Sequence, residues 1–113
     1  MDIIDKKNLI KNLDIKNGVS IELGCGTIKR LSDSIGIDAI NYENVDIVGD
    51  IFNILEQFPN SSVNRVHSHH FIAHIDDLSR LMSELERVLK IGAIVEFVAP
   101  HFSNPYYYSD PTH

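Results

Sequence analysis

Val19-Ser20-Ile21-Glu22-Leu23-Gly24-Cys25-Gly26 decides how this chain is read: a short apolar strand runs into a glycine-flanked turn, with an acidic residue just ahead of it. Glycine lacks a Cβ and reaches φ values that other residues resist. A buried strand ending in such a turn can therefore bring its backbone against a nucleoside-bearing ligand. Working outward, residues 35–38 (Ile-Gly-Ile-Asp), 45–48 (Val-Asp-Ile-Val), 63–67 and 93–99 read as four further strands. A short helix is expected near 51–57, after Gly49-Asp50. A longer one is capped by Asp76 or Asp77, its Leu78, Leu81, Met82, Leu85, Val88 and Leu89 at helical spacing and Gly92 marking its end. Strands alternating with helices predict an open α/β sheet.

Upstream, Ile3, Ile4, Leu9, Ile10 and Leu13 recur at roughly helical spacing and predict an amphipathic helix over 2–13, ended by Asn17-Gly18. Residues 93–99 are apolar on both faces except at Glu96, the pattern of a strand covered on both sides. Residues 100–113 carry Pro, Asn, Ser and Tyr106-Tyr107-Tyr108 without periodicity and read as loop.

The bulk numbers narrow the function classes. A chain of 113 residues, 43% hydrophobic and 23% charged, fits a single globular domain: residues 1–18 with the N-terminal helix, 19–99 as core, 100–113 as loop or tail. The net charge of -6 and the absence of a basic stripe argue against nucleic acid as a partner. The one cysteine, Cys25, cannot form an internal disulfide. The first residues lack a signal-peptide pattern and no segment is apolar enough to span a bilayer, so no membrane partner and a cytoplasmic location are expected.

Chemistry points to the strand ends. The turn at Gly24-Cys25-Gly26 follows strand one, Asp38 ends strand two and Asp50 lies just past strand three, so one rim receives a flexible backbone and two carboxylates. A carboxylate at the end of strand two can accept both hydroxyls of a ribose, and a polar residue after strand three can meet the edge of a base. A dinucleotide fingerprint would need a third glycine where Lys29 stands, and no P-loop pattern occurs.

Glu22-Leu23-Gly24-Cys25-Gly26 resembles motif I of the class I S-adenosylmethionine-dependent methyltransferases, of the type 11-like subgroup, and Ile35-Gly36-Ile37-Asp38 resembles their motif II. Val45-Asp46-Ile47-Val48-Gly49-Asp50 is similar to the strand-three segment of members with a shortened first helix. Ser68-His69-His70-Phe71-Ile72-Ala73-His74-Ile75 and Leu85-Glu86-Arg87-Val88-Leu89-Lys90-Ile91-Gly92 are similar to later segments, as are Pro100-His101-Phe102-Ser103 and Ser109-Asp110-Pro111-Thr112-His113. Ala73 replaces the usual Glu, and Ile91 the usual Pro.

The resemblance implies a three-layer Rossmann-like sheet of order 3-2-1-4-5, truncated after strand five. It implies S-adenosylmethionine as cofactor, S-adenosylhomocysteine as product, and methyl transfer to an acceptor that the residues do not identify. Glu22, Gly24, Cys25 and Gly26 would form the cofactor turn, Asp38 with Ala39 would hold the ribose, Asp50 and Ile51 would lie by the adenine, and His69 would border the methyl-transfer side. His70 and His101 are candidates for acceptor-side contact. The alternatives are a non-catalytic cofactor-binding or assembly module, a fragment of a longer methyltransferase and, third, a dehydrogenase-type nucleotide binder.

His70 and His74, spaced i, i+4, raise a metal site, but His-Glu-x-x-His is absent and none is expected. Cys25 has no partner at a nucleophile's spacing and is read as a packing residue. An uncovered strand 93–99 would be an aggregation template, so its edge is expected to be covered by a second copy, giving a homodimer, or by the chain's own tail.

Overall fold

The computed structural model describes residues 3–26, 33–69, 77–98 and 106–108. They form one mixed sheet. β2 (Val19–Leu23) lies at its centre, flanked by β3 (Ile35–Asp38) and β5 (Val63–His69). Outside these lie β4 (Ile47–Val48) and β6 (Leu89–Val98), all five strands parallel. Numbered among themselves, these five run 3-2-1-4-5, the expected order. Two short antiparallel strands extend the sheet: β1 (Ile4–Asp5) pairs with β4, and β7 (Tyr106–Tyr108) pairs with β6, giving β1-β4-β3-β2-β5-β6-β7.

The sheet has two unlike faces, as strand alternation requires. Ile21 and Leu23 of β2, Ile37 of β3, Ile47 of β4, Val66 of β5 and Val95 and Phe97 of β6 share one buried cluster with the helices. Helix α1 (Ile51–Glu56) contributes Ile51, Ile54 and Leu55, and α2 (Leu78–Val88) contributes Leu81, Leu85 and Val88. The opposite face carries Ser20, Glu22, Arg65, His67, Ile94 and Glu96. Here the expectation that 93–99 is covered on both sides is corrected: Ile94 is 49% exposed.

Both helices form as their sequences dictate. Asp50 caps α1, its Oδ1 accepting from the amides of Phe52 (2.9 Å) and Asn53 (3.2 Å). Asp77 caps α2 through Arg80 N–H at 3.0 Å. Arg87 locks the two helices together, donating to Leu55 O (2.7 Å), Phe58 O (2.9 Å) and Asn60 Oδ1 (2.9 Å). It thereby satisfies carbonyls at the open end of α1.

Three local expectations are overturned. The helix expected over 2–13 is replaced by β1 and a 3-10 turn at Ile10–Asn12, with Asn8 at φ 54° between them. The Asp5 carboxylate accepts from Leu9 N–H (2.9 Å) and Ile10 N–H (2.8 Å), an arrangement that caps a turn and interrupts a helix. The apolar residues Ile3, Leu9, Ile10 and Leu13 still pack on the main core. Gly92 does not end α2: the helix stops at Val88, β6 begins at Leu89, and Gly92 lies within the strand at φ +82°. There the register slips, the step from Val63 to Arg65 on β5 facing that from Leu89 to Ile94 on β6. A glycine inside a strand often marks such an irregularity.

The third correction concerns the tail. Tyr106–Tyr108 is a strand rather than loop, opposing Phe97, Glu96 and Val95. The sheet therefore does not end at β6, and of the two covers expected for that edge, the chain's own tail provides it along Val95 to Phe97, where a homodimer strand would otherwise add.

Candidate functional site

The turn after β2 is folded back onto the end of β3. Gly24 and Gly26 adopt φ +66° and +64°, left-handed values that explain the glycines at both positions. The N–H groups of Gly24 (2.7 Å) and Cys25 (3.4 Å) donate to Ile37 O. Among the described residues, a Cβ added at Gly26 would meet nothing within 4 Å, so open space borders the turn there. Cys25 is buried and packs with Val45, Val48 and Tyr42 in a small cluster apart from the main core, as a packing residue would.

Asp38 stands at the centre of this rim. Its Oδ2 accepts from Gly26 N–H at 2.8 Å and its Oδ1 from Ile40 N–H at 3.0 Å, while its own carbonyl accepts from Gly49 N–H at 3.0 Å. The carboxylate thus ties the glycine turn to the loop after β3. Each of its oxygens retains a second acceptor position. Ala39 is exposed beside it.

The other predicted residues fall around this centre. Glu22 is only 1% exposed, on the polar face, with Gly36 and His67 as its cross-strand neighbours. Asp50 is exposed past β4, with Oδ1 engaged in capping α1, and Ile51 is buried as the first residue of that helix. His69 ends β5, opposite Val98. His70, His74 and His101 lie outside the described residues. Among the described residues, no three His, Cys, Asp or Glu side chains are grouped to hold a metal ion.

Three features escaped the sequence reading. Asp46 is buried and accepts from Gly36 N–H at 2.8 Å, joining β3 to the segment before β4. Lys7 lies 3.5 Å away on the same carboxylate. Below the rim, His67 donates from Nδ1 to Glu96 Oε1 at 2.7 Å, which fixes the proton on Nδ1 because a carboxylate only accepts. Arg65 approaches the same oxygen at 3.7 Å. Asn44 Nδ2 donates to Gly26 O at 3.4 Å. An acid or amide in a loop gives no sequence signal for such a partner; alternation along β5 and β6 does place His67 and Glu96 on one face once the register is known.

The family model described as "Methyltransferase domain" matches residues 16–97. Among solved structures, a methyltransferase from Archaeoglobus fulgidus described as S-adenosylmethionine-dependent superposes with a TM-score of 0.60 at 23% identity, over 76% of this chain and 47% of that one. An arsenic(III) S-adenosylmethionine methyltransferase from Chlamydomonas reinhardtii gives 0.57 at 18% identity, over 82% and 45%. Phosphoethanolamine N-methyltransferase 2 of Haemonchus contortus, solved with phosphomonomethylethanolamine and S-adenosylhomocysteine, gives 0.55 at 22% identity, over 71% and 24%. The chain thus spans from about a quarter to about half of the length of these structures. No curated protein matches it in sequence. With a family match across most of its length, the chain belongs to the class I S-adenosylmethionine-dependent methyltransferases, as a Methyltransferase-domain member.

Proposed function

We propose that the chain binds S-adenosylmethionine at the rim formed by the β2 turn, Asp38 and the residues after β4, and that it serves methyl transfer to an acceptor. The observation that carries this reading is the Asp38 carboxylate held beside the open space at Gly26. A ribose needs a two-oxygen acceptor at the end of the second strand of the core, and a methionine chain needs a turn without side chains. The β2 turn and Asp38 offer both, in keeping with the resemblance of these segments to the family's motifs. Gly24, Cys25 and Gly26 would lie along the methionine and ribose, with Glu22 beneath them. Asp38 and Ala39 would take the ribose hydroxyls, Asp50 and Ile51 would border the adenine, and His69 would face the methyl.

The bound cofactor supplies an activated methyl group on a sulfonium, whose departure leaves a neutral thioether. The protein's task is then mainly orientation: to hold the cofactor so that the acceptor meets the methyl in line. His70 and His101 are the residues proposed for the acceptor side.

Isothermal titration of the whole chain with S-adenosylhomocysteine and, separately, with NAD tests the reading. Binding of the first and not the second is expected; the reverse would replace it with a dehydrogenase-type site. Binding of S-adenosylmethionine without label transfer from its methyl to any acceptor in an extract would identify a binding module.

A further inference from the structure

The glycine turn is held from outside as well as by its own strand. Gly26 donates its N–H to Asp38 Oδ2 at 2.8 Å, and its carbonyl accepts from Asn44 Nδ2 at 3.4 Å. Both partners belong to the segment between β3 and β4. That segment is itself anchored: Val45 N–H donates to Tyr42 O at 3.0 Å, and Lys6 Nζ reaches Tyr42 O at 2.8 Å from the N-terminal segment. Underneath, Cys25 packs on Tyr42, Val45 and Val48. The turn thus rests on one loop through an amide, a carboxylate and an apolar contact.

From this we infer that Asn44 is a positioning residue of the nucleoside site, forming with Asp38 a two-point clasp that fixes both polar groups of Gly26 before any ligand arrives. A left-handed glycine exposed to open space has many alternative conformations. Holding its N–H and C=O from opposite ends removes them. The same clasp aims the Asp38 carboxylate, because the oxygen that accepts from Gly26 cannot rotate away without releasing the turn. Ordering the site in advance lowers what binding must spend on it. The inference rests on the cofactor reading only for the ligand's identity; the clasp itself is a property of the chain alone.

The test uses the full chain and two variants, Asn44→Ala, which removes the donor, and Asn44→Asp, which keeps the size and presents only acceptors to the Gly26 carbonyl. Amide exchange and the chemical shift of Gly26 are followed by NMR without ligand, and the dissociation constant for S-adenosylhomocysteine by calorimetry. Both variants are expected to melt close to wild type. Their Gly26 amide should exchange faster, and their affinity should fall about 3- to 10-fold, the scale of one neutral hydrogen bond. A role confined to fold stability would move the melting temperature and leave Gly26 no more affected than other loop amides. Unchanged Gly26 exchange and shift in both variants would overturn the clasp, as would altered Gly26 behaviour with wild-type affinity for its positioning role. If the wild-type chain fails to bind S-adenosylhomocysteine, the cofactor reading falls, and Gly26 exchange still decides whether the clasp exists.

Discussion

Gly26 combines a left-handed backbone with empty space where a side chain would go, so substitutions there separate conformational strain from crowding. A Cβ at φ +64° costs about 1–2 kcal/mol by its own backbone sterics, and Asn tolerates that region better than other side chains. Thermal melts of Gly26→Asn, Gly26→Ala and Gly26→Val should therefore rank in that order below wild type; equal losses for all three would mean that the turn relaxes to another conformation. Gly18, also at positive φ (+84°), is the contrasting case: an added Cβ would come within 2.9 Å of Lys90 Cδ. At this scale the sequence was legible where chemistry and backbone agree, as in the glycine turn and the acid at Asp38. It was silent on Asn44 and Asp46, whose importance lies in the backbone groups they meet from a distance in sequence. A titratable case sits ahead of β2. Asn17 donates from its side chain (2.8 Å) and its backbone (3.2 Å) to Asp14, holding the Asp14 carboxyl below the ordinary carboxylate range. The folded form thus prefers the carboxylate, so Asp14 contributes stability above its unfolded pKa and loses it as pH falls through the depressed value. In urea titrations, Asp14→Ala should be less stable than wild type at neutral pH and converge with it in acid; a gap that persists in acid would contradict this.

Among the elements, α2 and β3 were readable because local and tertiary preferences coincide there. The first helix was misread because its apolar spacing served a different structure: Ile4 and Asp5 pair with β4, and the Asp5 carboxylate takes the amides that a continuous helix would use internally. Gly92 misled in the same way, since a glycine after a helical pattern and a glycine at a strand irregularity look alike until the partner strand is known. Arg87 carries the junction between helices. Removing its fork takes the charged donor from the carbonyls of Phe58 and of Leu55, which keeps the backbone N–H of Phe58 at 3.0 Å, so Arg87→Ala should cost about 2 kcal/mol in chemical denaturation, the range for hydrogen bonds to a charged group. Arg87→Lys should recover only part of it, because an ammonium cannot reproduce the planar fork. Full recovery by Lys would reduce the contact to charge alone.

On the scale of the whole molecule, one sheet face is packed by α1 and α2, and the other carries a polar row from Glu22 through His67 to Glu96. The order of the central strands followed from the family resemblance of the motifs, whereas the antiparallel strands at both edges were not legible. A two-residue and a three-residue strand carry too little alternation to be recognised without their partners. The tail strand β7 covers the apolar edge of β6, so a chain ending at Ala99 should self-associate in sedimentation and lose amide protection along Val95 to Phe97. Unchanged behaviour of the shortened chain would show that β7 is dispensable as cover. The central claim, that this fold presents a cofactor site organised by Asp38, is tested most directly by calorimetric titration of S-adenosylhomocysteine into the wild-type chain and Asp38→Ala. Saturable binding to wild type and at least a tenfold loss in a variant that remains folded are expected; no binding to wild type, or equal binding to both, would contradict a site organised by Asp38.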